Sequence, residues 1–495
     1  MSESGRQFVI DAGTLPSMKL QGVTTTGIYC RATCTARPKP ENVRPMRSAI
    51  AAMAAGFRPC LLCRPDRLPG LAVEQPADEI AHALRLIAEG FLDNASTDDL
   101  ARRIGYSTRH LVRLFEEHVG ASPDFVARAR RAHLARRLLD ESELSITKIA
   151  FAAGFSSLRQ MNRVMHDLFG FPPSHLRKKR SRRDRLDQLD GGLRLRIPYR
   201  GPFAGEHLFA YLATRPLPGV ESVENGCYRR TMNTCGFPGV VDVRDGNDGG
   251  HLEATMHLAT FGSIIEQVAR VRALFRLDED SSAAERQLGR DPLLGPVVRQ
   301  HPGIRLLGAW DRFETAVRVI IGQQVSVAGA TTVAGKLVER FGEPIDAALP
   351  GGLKFLFPSA DSLARADASD FGMPRARART IVQFASAVAS GTVDLSRVAS
   401  LNENLTALEK LPGVGPWTAH VIAGRVMGNG DAFPASDLGL RRSAARLMNR
   451  SDALSTAELE QLAEAWRPFR GTAAAYLWMS EMLSKQHTQK TGSQA

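Results

Sequence analysis

The chain has 495 residues, too many for one hydrophobic core, and its 43% apolar content is that of a folded globular protein. Lysine and arginine (64) outnumber aspartate and glutamate (52), and the net charge of +12 favours polyanionic partners. Runs of about 18 apolar residues and a signal-peptide core are both missing, which argues against a membrane protein and for a soluble cytoplasmic one.

The first segment, to about residue 72, holds four of the six cysteines as Cys30-x3-Cys34 and Cys60-x2-Cys63. In a reducing compartment this spacing reads as a metal site rather than as disulfides: four thiolates close a tetrahedral shell around one zinc ion. Taken alone, such a cluster reads as a structural zinc knuckle; the flanking residues TTGIYC and AGFRPC turn the reading toward a reactive thiolate. Cys227 and Cys235 stand apart and read as buried thiols. The stretch LPGLAVEQPAD after the cluster reads as a linker.

From Glu79 to about Arg177 the pattern is helical and contains two similar phrases, STDDLARRIGYSTRHLVRLFEEHVG and SITKIAFAAGFSSLRQMNRVMHDLFG. Each has a capping Ser or Thr, a short amphipathic helix, a turn containing Gly105 or Gly154, and a second helix anchored by Phe115 or Phe169. The second helices carry Arg109, His110 and Arg113, then Arg159, Gln160 and Arg163. At helical spacing on a solvent face these reach base edges or phosphates in successive major grooves. The basic run at 177–185 reads either as a solvated linker or as a phosphate contact. As a flexible linker it would uncouple the front half of the chain from the back half.

From Leu193 to about Ala259, alternating β-branched segments with Gly and Pro turns predict an antiparallel sheet. Helical patterns resume at Ile264 and run to about Leu483, and the polar tail SKQHTQKTGSQA reads as disordered. Within the helical stretch, Gly413 and Gly415 of LPGVGPWTA permit a tight turn whose backbone N–H groups approach a phosphate unobstructed. Asp437 stands where a helix begins at Leu438, and Ser436-Asp437 looks like a cap pair.

The first two modules resemble the N-terminal half of the Ada alkylation-response family, with an AraC-type DNA-binding domain. The resemblance rests on TTGIYCRATC (25–34), Ala36-Arg37, ENV (41–43) and AGFRPCLLC (55–63). It implies that Cys30 takes a methyl group from a methylated DNA phosphate and is permanently consumed, with Thr26 and Arg37 contacting the phosphate beside the lesion. Zinc would hold Cys30 as the nucleophilic thiolate. Methylation would reduce the cluster charge from about −2 to about −1, so repair itself would raise DNA affinity and switch on transcription. Ala32 replaces the family's proline, and the segment before Val23 matches it poorly. The Pro-Cys-His-Arg site of the family's second methyltransferase is absent, so that activity is not expected.

From about Leu193 to Leu483 the chain resembles an AlkA-type 3-methyladenine DNA glycosylase of the helix-hairpin-helix superfamily. The matching words are IGQQVSVAGA (321–330), FGMPRARA (371–378), LPGVGPWTA (411–419) and FPASDLGLRR (433–442). The resemblance implies that Asp437 stabilises the positive charge that builds on the deoxyribose, beside or instead of its capping role. Trp417 occupies the slot of the lysine found in bifunctional members, and an indole forms no Schiff base, so the expected product is an abasic site. Trp417 and Trp478 match pocket residues that would hold a flipped cationic base by stacking and cation–π contact; each is otherwise a core tryptophan. Val421 stands where the family has a pocket tyrosine, and Gln324 where a relative has an apolar wedge. A monovalent cation beneath the hairpin is also implied.

The expected fold is multidomain, mainly α with α+β parts. It comprises a zinc domain (1–72), an all-α double helix-turn-helix domain (76–178), an antiparallel β-sheet subdomain (190–300) and an all-α helix-hairpin-helix glycosylase domain (301–484). The expected function is a methylphosphotriester-accepting transcriptional regulator fused to a monofunctional glycosylase. The expected partners are double-stranded DNA and RNA polymerase, and the expected state is a nucleoid-associated monomer. Two other readings are a regulator that keeps a glycosylase fold for DNA binding, and a glycosylase whose front half is a tether.

Overall fold

The computed structural model describes residues 20–67, 78–181, 186, 192–234, 236–246, 249–261, 264–346, 352–396 and 400–492. The lead-in before Leu20, the linker at 68–77, Cys235, the basic stretch 182–185 and the last three residues lie outside these.

Strands β1 (Leu20–Val23), β2 (Ile28–Arg31), β3 (Val43–Met46) and β4 (Arg58–Pro59) form a sheet in the order β3-β1-β2-β4. The short helix α1 (Ala49–Ala54), capped by Ser48, packs beside it. The parallel pairing of β4 with β2 brings the Cys60 amide onto the Tyr29 carbonyl at 3.0 Å, so the second cysteine pair is carried to the first.

Eight helices come next: α2 (Asp78–Ala88), α3 (Phe91–Asn94), α4 (Thr97–Arg103), α5 (Thr108–His118), α6 (Pro123–Glu141), α7 (Ile146–Ala152), α8 (Leu158–Phe169) and α9 (Pro173–Lys178). Pairs α4–α5 and α7–α8 are the two helix-turn-helix motifs. Ser96, Ser107, Ser145 and Ser157 cap their four helices by accepting a backbone N–H, each cap being worth ~1 kcal/mol. Phe115 and Phe169 are buried as anchors. The motifs are joined by α6, which is buried along most of its length, charges included. Its buried Arg136 and Asp140 pair at 2.9 Å, and Arg131 pairs with Asp93 at 3.1 Å. A buried ion left without its partner would cost several kcal/mol.

Beyond them, β5 (Leu193–Pro198), α10 (Gly205–Ala213), β6 (Glu221–Glu224), β7 (Cys227–Thr234), β8 (Phe237–Asp245) and β9 (His251–His257) build the expected antiparallel sheet, ordered β5-β9-β8-β7-β6. Alternation sets its faces: Leu193, Leu195 and Ile197 point inward opposite Met256, Ala254 and Leu252. The sequence did not announce α10 or β6, both short and set among Gly and Pro.

Helices α11 (Ile264–Phe275), α12 (Ser282–Leu288), α13 (Gly295–Gln300), α14 (Arg312–Ile321) and α15 (Val327–Phe341) lie beyond the sheet in the chain. After a small hairpin, β10 (Glu343–Pro344) with β11 (Phe355–Leu356), the chain continues as α16 (Ala360–Ala364), α17 (Arg375–Ala389), α18 (Leu401–Glu409) and α19 (Pro416–Arg425). It ends in α20 (Leu438–Leu447), α21 (Thr456–Ala463) and α22 (Arg470–Gly492). These helices form two lobes with separate cores: α14, α15, α17 and α19 enclose one, and α12, α13, α20, α21 and α22 enclose the other. The tail expected to be disordered continues α22 to Gly492, because Lys, Gln and Thr carry no helix-breaking residue before that glycine. Among the described residues no helix is long and apolar enough to cross a membrane.

Among the described residues, the start of the basic run and the facing surfaces of the two halves make direct contacts. Arg177 donates to the Leu144 carbonyl at 2.6 Å and Arg180 pairs with Glu143 at 2.7 Å, so the start of the basic run lies on the helix-turn-helix module. That module in turn docks on the glycosylase part. Arg85 Nη1 donates to the Met427 carbonyl at 2.6 Å, Arg312 pairs with Glu89 at 2.5 Å and Arg103 with Asp394 at 2.6 Å. On β5, the Arg196 amide donates to Glu141 at 3.0 Å and its carbonyl accepts from Arg137 at 2.8 Å. Among the described residues the two halves are thus in direct contact, in addition to being joined through the chain. Glu89→Lys sets like charge against Arg312 and is expected to speed proteolytic separation of the halves by up to about fivefold, the range of a weakened partly exposed pair. Limited chymotrypsin digestion checks this without cutting at the new lysine; an unchanged cleavage rate would mean the contact carries no weight.

Candidate functional site

The four clustered cysteines converge. Cys30 lies in β2, Cys34 in the turn after it, Cys60 just past β4 and Cys63 in the next turn, and their sulfurs all lie within 4.8 Å of one another. Thiolates bonded to one zinc at ~2.3 Å sit about 3.8 Å apart, so the set needs only a small contraction to hold that ion. Burial, together with the neighbouring Cys60 sulfur, pushes the bare Cys30 thiol up, and a divalent cation is what reverses that penalty. Cys30 itself is 2% exposed. Thr26 stands exposed in the β1–β2 turn and Arg37 exposed beyond Cys34. Next to Cys63, Arg64 bridges Asp66 and Asp140, each at 2.7 Å, which ties the metal module to α6.

On the helix-turn-helix face, Arg109, Arg113, Arg159 and Arg163 are exposed, as their placement on the second helices requires. His110 lies 3.4 Å from an Arg113 nitrogen and its ring packs on Tyr106 at 4.8 Å. Gln160 is partly committed: its carbonyl oxygen accepts from the Ser156 amide and hydroxyl at 3.0 Å each, leaving its amide nitrogen to face outward contacts.

The candidate glycosylase site lies where the two helical lobes meet. Asp437 is the N-cap of α20, where Oδ1 accepts the Leu440 amide at 3.0 Å. It also takes an indole N–H from either side: Trp417 Nε1 reaches Oδ2 at 2.8 Å and Trp478 Nε1 reaches Oδ1 at 3.1 Å. Trp417 packs on one lobe's core and Trp478 on the other's, and all three residues are half-buried. The capping role and an aimed carboxylate thus coexist. Neither tryptophan is an enclosed core residue. Val421 is buried within the first lobe, so no side chain from that position enters the site.

The hairpin lies between α18 and α19. Gly413 has φ +80°, and a Cβ there would sit 2.1 Å from Thr380 Oγ1; at Gly415 a Cβ would meet nothing within 4 Å, leaving the backbone open to a ligand. Gln324 is exposed at the tip of the loop between α14 and α15 with φ +54°, flanked by exposed Val325 and Val327. Sequence reasoning passed over its neighbour. Gln323 Nε2 donates to the Gly413 carbonyl at 2.9 Å and to Thr418 Oγ1 at 2.8 Å, fastening this loop to the hairpin. It also passed over Tyr211, from α10, which lines a crevice with Trp478 and His207. The doubled Gln of IGQQVS was a usable signal for the first; nothing in the sequence marked the second.

Comparison with known proteins agrees with each module. Residues 19–66 match the metal binding domain of Ada, 100–179 a helix-turn-helix domain, 194–311 the AlkA N-terminal domain, and 317–468 the HhH-GPD superfamily of base excision DNA repair proteins. A zinc-cysteine module and a DNA-binding regulator are therefore joined to a base-excision glycosylase fold, which defines the class. The probable bifunctional transcriptional activator/DNA repair enzyme AlkA of Mycobacterium tuberculosis (strain ATCC 25618 / H37Rv) is 40% identical over 463 residues, covering 92% of this chain and 91% of the relative. The chain belongs to that family of bifunctional transcriptional activator/DNA repair enzymes. DNA-3-methyladenine glycosylase 2 of Escherichia coli (strain K12) is 29% identical over 58% of this chain and 96% of its own length. The bifunctional Ada protein of the same organism is 35% identical over 31% of this chain and 43% of its own. The solved 3-methyladenine DNA glycosylase from Archaeoglobus fulgidus shares the fold at a TM-score of 0.51, covering 58% of this chain.

Proposed function

We propose that the protein hydrolyses the N-glycosidic bond of alkylated purines such as 3-methyladenine, and that Cys30 accepts one methyl group from a methylated DNA phosphate. The observation that carries the first part is Asp437 held by indole N–H groups from both lobes. A carboxylate oriented this way meets the charge that develops on C1′ without reorganising. Trp417 and Trp478 offer their faces to a base already carrying positive charge, whose departure needs little acid help. Gly413, Gly415 and Gln324 are assigned to gripping the duplex and filling the gap left by the flipped base. The name of one E. coli relative, DNA-3-methyladenine glycosylase 2, supports the first chemistry, and that of the other, a transcriptional activator/DNA repair enzyme, supports a regulator joined to repair.

In the front half, Cys30, Cys34, Cys60 and Cys63 hold the zinc, which keeps the cluster anionic. Cys30 Sγ attacks the phosphotriester methyl: the S–C bond forms, the C–O bond breaks, and the phosphate leaves as its diester anion. Thr26 and Arg37 border that phosphate. Arg109, His110, Arg113, Arg159, Gln160 and Arg163 meet promoter DNA, and RNA polymerase is the partner an activator of this kind serves, from the cytoplasm and as a monomer. On methylated duplex DNA the intact protein is expected to release 3-methyladenine and leave sites cut only after alkali treatment. Cutting without alkali would overturn the monofunctional assignment, and DNA binding with no release would leave a regulator alone.

A further inference from the structure

We propose that Arg85, which belongs to the regulator half, is a positioning residue for base excision. It holds the end of α19 and, through that helix, the indole and the connecting segment that aim Asp437. The inference rests on reading Asp437 as the carboxylate of the excision step.

The carbonyls at and just past the last turn of α19 have no partner within the helix and need donors from elsewhere. Guanidinium groups supply them from two directions. Arg276, just past α11, donates Nη2 to the Gly424 carbonyl. Arg85, on α2, donates Nη1 to the Met427 carbonyl at 2.6 Å. A positive charge there also meets the negative end of the helix dipole. The glycosylase backbone leaves room for the regulator's side chain: Gly428 has φ +77°, and a Cβ on it would collide with Arg85 Nη1. Burial lowers the pKa of the guanidinium, with Glu89 opposing the fall, so the contact lies largely out of water. Glu89, one turn further along, pairs with Arg312 at the start of α14 and fixes the same stretch of the regulator at a second point.

Two routes lead from Arg85 to Asp437. At the other end of α19, Trp417 Nε1 donates to Asp437 Oδ2 at 2.8 Å. Along the chain, the segment from Met427 to Asp437 is pinned step by step. The Gly430 carbonyl accepts the Gly471 amide at 2.8 Å, Asp431 pairs with Arg470 at 2.8 Å, and the Phe433 amide donates to His420 Nδ1 at 3.1 Å. Those pins come from α19 and α22, whereas the pin at Met427 comes from the regulator. A carboxylate stabilises charge on C1′ only from the right place, and a misplacement of about 1 Å costs on the order of 10²-fold. The hairpin is fastened separately, by Gln323, so Arg85 serves the aim of the carboxylate and not the grip on DNA.

The test uses the full chain and single-turnover release of 7-methylguanine from a methylated duplex. Arg85→Met keeps the stem and removes the donors. Release is expected to fall about tenfold, the scale of losing one charge-assisted hydrogen bond, while affinity for the same duplex stays within about twofold. The melting temperature should stay within a few degrees of the parent. Arg85→Lys keeps the charge and a donor, and should recover part of the lost rate. Undiminished release by Arg85→Met would overturn the proposal, as would a loss that lysine does not relieve. A variant that melts far below the parent, or loses affinity as much as rate, would make Arg85 a packing residue and overturn it too. Each of these leaves the glycosylase reading standing, whereas a parent protein that releases no base would remove both.

Discussion

Asp437→Asn is expected to lower base release by a factor on the order of 10²–10³ while leaving the protein folded and DNA-bound. The substitution separates two roles that share one side chain. Asparagine caps a helix as well as aspartate does, so α20 keeps its start and the amide oxygen of the variant can still accept the Leu440 amide. What is lost is charge. The asparagine amide nitrogen must also face one of the two indole N–H groups, now donor against donor, which costs roughly 1 kcal/mol of stability at a half-exposed site. A melting temperature within a few degrees of the parent, with release all but gone, would identify the carboxylate as chemistry rather than scaffold. Undiminished release would mean that the sugar cation is stabilised elsewhere, and Asp437 would be only a cap.

Legibility in the sequence tracked the range of the physical signal. The cysteine spacing, the two capped helix pairs and the alternating strands are local patterns, and each appears where it was expected. Short elements with weak patterns, α10 and β6, did not announce themselves, and α10 carries Tyr211 to the crevice beside Trp478. The longest-range facts were invisible. No pattern within residues 79–177 tells that Glu89 meets Arg312 or that Glu141 meets the backbone of β5, because such pairs depend on how whole modules pack. Polarity misled at both ends of the glycosylase: Arg177 and Arg180, at the start of the basic run, fold back onto their own module, and the tail extends α22. Asp437 was legible as both cap and carboxylate. Only the structure shows that the two indoles reach it from separate lobes.

For the methyl transfer proposed above, the expected result is one added methyl per molecule, on Cys30 and on no other cysteine. The sequence makes the assignment easy to check, since trypsin cuts after Arg31 and so places Cys30, Cys34 and the Cys60–Cys63 pair on three different peptides. Burial makes the outcome informative. Cys30 is 2% exposed while Cys34 and Cys63 are half-buried, so reaction by simple access would mark one of the latter. A methyl on Cys30 would therefore support the proposed seating of DNA against the β1–β2 turn, near Thr26 and Arg37. Cys30→Ser should abolish uptake and leave base release by Asp437 within about twofold, the spread expected of distant independent sites. Methylation also removes one negative charge beside DNA, worth on the order of 1 kcal/mol at partly screened distances, hence a severalfold tighter promoter complex. That gain must shrink as salt is raised, since the Debye length falls to ~3 Å at 1 M. A methyl found on Cys34, or tightening that ignores salt, would show that access or packing, and not cluster charge, governs the switch.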